Sequence, residues 1–246
     1  MKVSILTVCL NNESTIEKSL DSLLSQDHPN IEHIVKDGAS MDETLSIIHR
    51  KSPESKVVSS TDNGLYFALN EAMERATGDI IGILHADDFF TDPGVISDVV
   101  RCFEDPNTDA VYGDLLYVDR KDISKVKRTW ISGEYKRNAF LRGWMPPHPT
   151  FFIRRSLIKN HGAYNTNFLT AADYEWMLRL VQRNGIRLTY LPKVLVAMRI
   201  GGQSNATLWK RLRANSEDRM AWRVNDLKPK WYTRWLKPLR KVAQFA

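Results

Sequence analysis

The sequence predicts an α/β fold, a mostly parallel sheet flanked by helices, and three observations predict it. Short β-rich runs alternate with helix-period segments through the first hundred residues. The four βα units so formed are about 25 to 30 residues long, the length of a crossover between parallel strands. Polar residues gather just after the strands, at the end where an open parallel sheet binds its ligands.

Each element has a local reason. Val3 to Val8 is a buried-type strand, and Ser14-Thr15-Ile16-Glu17 offers a capping box for a helix carrying Ile16, Leu20, Leu23 and Leu24 on one stripe. Ile31 to Val35 is the second strand, ended by the Asp37-Gly38 turn. Ser40 with Glu43 offers a second capping box, for the helix through Ile47 and Ile48. Val57-Val58 is a weak third strand. Leu65, Ala68, Leu69, Ala72, Met73 and Ala76 make a helical stripe with Gly78 as its C-cap. Asp79 to Leu84 is the fourth strand, and Asp92-Pro93 reads as N-cap plus first-turn proline. Beyond residue 105 the regularity weakens. Ala110 to Val118 and Thr150 to Ile153 read as strands, and Thr129 to Pro149 has no clear period. Asp173 to Asn184 reads as a helix, and Arg187 to Tyr190 and Val194 to Met198 as short strands around Pro192.

Composition bounds the function. The chain has 246 residues, 43% hydrophobic and 26% charged, which excludes a disordered tail, a collagen-like fibre and a disulfide miniprotein. Cys9 and Cys102 are the two cysteines, so no disulfide framework is expected, and no signal peptide or membrane-length apolar run is apparent. A cytoplasmic location follows as the expectation. The net charge of +6 invites a polyanion partner, but it is uneven. Residues 206–246 hold eleven basic and three acidic residues, a balance of +8 that leaves −2 on residues 1–205. We therefore divide the chain into a catalytic domain, 1–205, and a basic, tryptophan-rich helical extension, 206–246.

Thr7 and Asn11 follow the first strand, Asp37 the second, Asp62-Asn63-Gly64 the third and Asp87-Asp88 the fourth, four consecutive loops that describe one site. Neither a G-x-G-x-x-G after the first strand nor a G-x-x-x-x-G-K-[ST] occurs. A glycine-poor, carboxylate-rich site holds nucleotide phosphates through a divalent metal. On its own an Asp-Asp pair is more often a solvated turn or helix cap than a metal site.

Taken together, these pieces resemble the family 2 glycosyltransferases of the GT-A fold, a Rossmann-like nucleotide-diphospho-sugar transferase fold, and are similar to bacterial enzymes that build exopolysaccharide, O-antigen and capsule chains. The resemblance rests on Val3 to Val8 with Asn11 and Glu13, Asp37-Gly38-Ala39-Ser40-Met41-Asp42, Asp62-Asn63-Gly64-Leu65-Tyr66 with Asn70, Gly78-Asp79 and His85-Ala86-Asp87-Asp88. It continues through His148-Pro149-Thr150-Phe151-Phe152, Ala172-Asp173-Tyr174-Glu175 and Gly201-Gly202-Gln203-Ser204. It implies that Thr7, Asn11, Glu13, Asp37, Asp62, Asn63, Asn70, Asp87 and Arg199 bind a nucleotide-sugar donor, typically UDP-linked. Asp88 would ligate Mn2+ or Mg2+ on the diphosphate, and His85 stands where many relatives carry Asp or Asn. Asp173 would be the general base of an inverting transfer, although an Asp at the start of a helix is also an ordinary N-cap. Glu175 is its fallback, and with His148 and Trp144 it would lie on the acceptor side. His148 reads equally as a plain loop histidine, and Trp144, like Tyr66, as core. Arg199 and the glycines after it suit either a loop closing over phosphates or a hinge into the tail.

The extension mixes Trp209, Trp222, Trp231 and Trp235 with cations. That pattern suits the cytoplasmic face of an anionic inner membrane and a polyprenyl-linked acceptor, or a helix packed on the domain, or an oligomer contact. Nucleic acid is not expected, since no nucleic-acid module accompanies the charge. Two rival readings remain: a sugar nucleotidyltransferase, disfavoured by Asn11-Asn12-Glu13 in place of a basic phosphate loop, and a non-catalytic membrane or nucleic-acid binding protein.

Overall fold

A computed structural model of the chain describes residues 1–201, 208–233 and 236. One nine-stranded sheet runs in the order β3-β2-β1-β4-β8-β6-β9-β5, with β7 paired to the far side of β6. Its first half is the parallel set the sequence predicts: β1 (Val3–Cys9), β2 (Ile31–Asp37), β3 (Lys56–Ser59) and β4 (Ile80–Ile83), linked through α1 (Ile16–Leu24), α2 (Thr44–Lys51) and α3 (Leu65–Arg75). Every residue of β1 and β4 is buried, as expected for strands covered on both faces. The second half is mixed. β8 (Phe152–Arg154) runs antiparallel to both β4 and β6 (Ala110–Val118), while β6 and β9 (Leu188–Arg199) are parallel. Beyond α4 (Val95–Cys102), α5 (Arg155–His161) leads to α6 (Ala172–Met177), which continues as one and a half turns of π-helix over 178–183.

Several local expectations change for identifiable reasons. Neither capping box forms. The Thr15 and Ile16 N–H groups donate to the Asn12 carbonyl, Glu17 pairs with Lys51, and Ser40 turns back to Asp37. Leu24 and Leu65 sit off the buried faces of their helices and are exposed. The N-cap of α4 falls two residues later than read, at Gly94, although Asp92 still accepts the Gly94 N–H. Gly78 is not a left-handed C-cap. A Cβ there would lie 2.7 Å from the Ser4 backbone nitrogen and 2.9 Å from the Lys2 carbonyl oxygen, so glycine is required by the close approach of β1.

The two strands read around Pro192 are one strand, β9. The sequence signal was split because the register with β6 slips between Tyr112 and Asp114, bulging three residues of β9, Pro192 among them, against Gly113. A Cβ on Gly113 would stand 2.7 Å from the Lys193 carbonyl oxygen. β7 (Val126–Trp130) and β5 (Asp88–Phe90) were not read as strands; both are short, and neither alternates cleanly.

The extension is in part docked on the domain. α7 (Leu208–Val224) lies against α6, where Trp222, 4% exposed, donates its indole N–H to the Tyr174 hydroxyl at 2.9 Å. Asn225 reaches Glu175. Of the extension's four tryptophans, read as suiting either a lipid surface or a packed helix, Trp222 is therefore core and Trp231 is 82% exposed. The side chains of Trp209 and Trp235, and Gly202-Gln203-Ser204, lie outside the described residues.

Beneath the sheet, His33 is buried with Nδ1 2.6 Å from Ser55 Oγ and Nε2 3.0 Å from Thr7 Oγ1. Burial pulls its pKa from 6.5 down to about 4. As the pH falls from 6.5 towards 4 the unfolded chain takes up a proton that the folded protein refuses, so this residue withdraws roughly 1–3 kcal/mol of stability across that window. Relative to a His33→Asn variant, the wild-type Tm is expected to drop progressively between those pH values in a pH series of thermal melts. A constant difference would refute this.

Candidate active site

The two carboxylates read from the Asp-Asp pair diverge. β5 begins at Asp88, whose backbone pairs with Met198 of β9, so Asp88 lies in a strand rather than in the loop. Its side chain points inward, 1% exposed, and among the described residues neither carboxylate oxygen has a hydrogen-bond partner. Burial, then the like charge of Asp87, hold it well above the usual carboxylate range, against the opposing pull of Arg199. Arg199, 6% exposed at the end of β9, donates to the Asp87 carbonyl at 2.6 Å and lies over the Phe89 ring. A buried carboxyl group whose oxygens lack a hydrogen-bond partner among the described residues is costly, and it suits a cation.

Asp173 stands on the first turn of α6, half-buried, and accepts a hydrogen bond from the Tyr66 hydroxyl at 3.2 Å. It lies inside the helix, not at the N-cap, which is Ala171. Burial, then the Asp173 charge, raises the Tyr66 pKa, so the phenol stays a donor near neutral pH. Tyr66 packs on Tyr164, whose hydroxyl is 2.6 Å from His148 Nε2, and the His148 and His85 rings sit 5.9 Å apart. Burial takes both histidines down to about 4, leaving them neutral at physiological pH. His85 also feels the charges of Asp87 and Asp173, and Tyr117 those of Asp88 and Asp173, so the two carboxylates act on the same neighbouring rings.

The donor-side residues divide. Asn11, Glu13, Asp62 and Asn63 are exposed or nearly so at the strand ends. Asn11 (φ 54°) accepts the Met41 N–H, and Glu13 accepts the Glu43 N–H, so both brace the loop after β2. Asp37 is buried, its oxygens engaged by Ser40 and Ser59; burial alone would raise its pKa, but these hydrogen bonds prevail and lower it.

Four expectations are corrected. Thr7 is buried and donates to the Leu84 carbonyl, so it ties β1 to β4 rather than lining a pocket. Asn70 uses both its amide oxygen and its nitrogen on the Tyr164 backbone. Trp144 is core, packed edge-on against Tyr112 and Phe140, with its indole N–H on the Ser132 carbonyl. Glu175, 2% exposed, is buried and bound by Arg179 and Asn225, so it is not free to meet an acceptor.

Two residues were missed. Tyr164 had no pattern to mark it. Lys36 did: a lysine inside an apolar strand run. It is fully buried, donates to the Asp37 and Ser60 carbonyls, and stands 3.8 Å from Asp62, joining the loops after β2 and β3.

Solved structures share this architecture. The chain superposes on residues 1–349 of Staphylococcus aureus TarS in complex with UDP at a TM-score of 0.68 and 19% identity, covering 93% of this chain and 67% of that one. It superposes equally, at 0.68 and 23% identity, on the mannosyltransferase PcManGT from Pyrobaculum calidifontis in complex with GDP-Man and Mn2+, covering 98% and 73%. The fold is therefore of the GT-A class. A PGL/p-HBAD biosynthesis glycosyltransferase of Mycobacterium tuberculosis is 28% identical over 213 residues, 84% of this chain and 80% of its own. The profile of Glycosyl transferase family 2 matches residues 4–166, and the chain belongs to that family. It is a glycosyltransferase, which favours that reading over the nucleotidyltransferase and the non-catalytic binding protein.

Proposed function

We propose that the enzyme is an inverting, metal-dependent transferase moving a sugar from a nucleotide-diphosphate donor, a UDP-sugar, to a saccharide or polyprenyl-linked saccharide acceptor in surface-polysaccharide synthesis. The observation that carries the reading is a buried Asp88 without a hydrogen-bond partner among the described residues, near Arg199, together with Asp173, one of whose oxygens is held by Tyr66. Asn11, Glu13, Asp62, Asn63 and Asp87 form the donor rim. The orphaned Asp88 carboxylate fits Mn2+ or Mg2+. Among the described residues no group of three His, Cys, Asp or Glu could close a cage, so the remaining ligands would be donor oxygens and water. Such an ion, when bound, supplies positive charge to the diphosphate.

In the transfer, Asp173 accepts the proton of the acceptor hydroxyl as that oxygen attacks the anomeric carbon. The bond from that carbon to the diphosphate oxygen breaks from the opposite face, and the configuration inverts. Tyr66 orients the base, and Arg199 places a fixed positive charge beside the departing diphosphate. Transfer or hydrolysis measured across a panel of nucleotide sugars tests this. Activity that needs a divalent ion and resides in one donor class supports it, and activity indifferent to chelation refutes the metal.

The proposed site of action is the cytoplasmic face of an anionic membrane. No helix among the described residues is long and apolar enough to cross a membrane. Exposed Trp231, between exposed Lys228 and Lys230 and the Tyr232 ring, supports peripheral contact. Because α7 is docked, the test is a triple substitution, Trp231→Ala with Lys228→Glu and Lys230→Glu. It is expected to lower sedimentation with anionic liposomes about 10-fold or more. Unchanged sedimentation would remove the membrane role.

A further inference from the structure

α6 carries Asp173 but begins without a cap of its own. Its N-cap residue is Ala171, which has no side-chain acceptor, and the first helical bond runs from the Glu175 N–H to the Ala171 carbonyl. The acceptor comes from the C-terminal helix instead. Glu217, buried on α7, accepts the backbone N–H groups of Thr170 at 2.8 Å, Ala171 at 2.9 Å and Leu169 at 3.2 Å, and the Thr170 hydroxyl at 2.9 Å. One carboxylate therefore fixes three consecutive residues that end two positions before the base. Two further bonds seat α7 along the same helix, Trp222 to Tyr174 and Asn225 to Glu175. Leu169 itself projects outward, 58% exposed, while Phe168 and Ala171 on either side of it are buried in the core, so the carboxylate fixes the backbone amides of a loop whose side chains the core holds only in part.

We infer that Glu217 is a positioning residue: through the amides of residues 169–171 it sets where α6 starts, and so where the Asp173 carboxylate stands relative to Tyr66 and the acceptor hydroxyl. The inference rests on Asp173 being the base. The proposed donor contacts come from the loops after β1, β2 and β3, from Asp87 and β5, and from Arg199 at the end of β9, none of which Glu217 touches. Its loss should therefore lower kcat and leave donor affinity intact. Proximity effects of this kind are steep, since small misplacements of a catalytic group cost up to about 100-fold in rate.

The test compares four variants of the full chain by kcat, donor KM, UDP affinity and Tm. Glu217→Ala is expected to lose about 10- to 100-fold in kcat, with donor KM and UDP affinity within about 3-fold of wild type. Glu217→Gln, which can present its oxygen to Thr170 and Ala171 and forfeits Leu169, is expected to recover most of that rate. Trp222→Phe removes a bond of the same interface without touching the loop, and is expected to lower Tm while keeping kcat. If Trp222→Phe loses kcat as Glu217→Ala does at an equal loss of Tm, the role of Glu217 is structural and the inference fails. Wild-type kcat in Glu217→Ala beside an inactive Asp173→Asn overturns the clasp alone; activity in both overturns the assignment of the base as well.

Discussion

Replacing Asp88 by asparagine is expected to do two opposite things: lower sugar transfer by about 100- to 1000-fold and raise the Tm of the ligand-free protein by roughly 2–8 °C. The reasoning starts from burial. A carboxylate that is 1% exposed and has no hydrogen-bond partner among the described residues has lost its hydration without replacement, and Asp87 adds like charge beside it. An amide of the same shape removes the charge. It is therefore expected to stabilise the fold by about 1–2 kcal/mol, although its own polar atoms remain poorly satisfied. Under the proposed function this strain has a use, because a cation bound at the folded carboxylate would relieve it. Mn2+ with UDP should then raise the wild-type Tm and leave that of Asp88→Asn nearly unmoved. Thermal melts with and without both ligands, beside kcat for the preferred donor, check the pair of effects. An asparagine variant that is less stable, or fully active, would remove Asp88 from the site.

The parallel half of the sheet was legible because its strands are continuous apolar runs and its helices carry clean stripes. Ile16, Leu20 and Leu23, or Ala68, Leu69, Ala72 and Met73, could face only one way. The caps were less legible. Whether Ser40 caps α2 or bends back to Asp37 depends on which acceptor the fold brings near, and both choices fit Ser40 in the sequence. The second half was obscured by chain geometry. Pro192 broke β9 on paper, whereas the bulge opposite Gly113 lets one strand continue.

The same distinction governs the site. Residue type at a strand end predicted which loops converge, but not which side chains would be free in them. Thr7 and Asn70 occupy the expected positions and are consumed by the Leu84 and Tyr164 backbones. Glu175, two residues past Asp173, points to the other side of α6, where Arg179 and Asn225 hold it. A two-residue step on a helix turns the side chain by more than half a circle, so the spacing itself argued against both carboxylates sharing a cleft. The docking of α7 could not be read, because a basic segment with tryptophans suits a lipid and a protein surface alike.

Asp173→Asn is expected to lower kcat by about 100- to 10,000-fold with donor KM and UDP affinity near wild type, since the amide keeps the shape and the Tyr66 contact but cannot accept the acceptor's proton. Tyr66→Phe tests the same bond from the other side. The phenol orients one carboxylate oxygen without taking part in proton transfer, so its loss is expected to cost only about 3- to 10-fold in kcat. The two should not add. Once the base cannot take a proton, the precision with which it is held no longer matters, and the double variant should be no slower than Asp173→Asn alone. Additive losses would show that Tyr66 acts on the substrate independently of Asp173, and a wild-type rate in Asp173→Asn would move the base elsewhere in the cleft. His148 is then one candidate beside His85, because burial keeps it neutral and its Nε2 lies 2.6 Å from the Tyr164 hydroxyl.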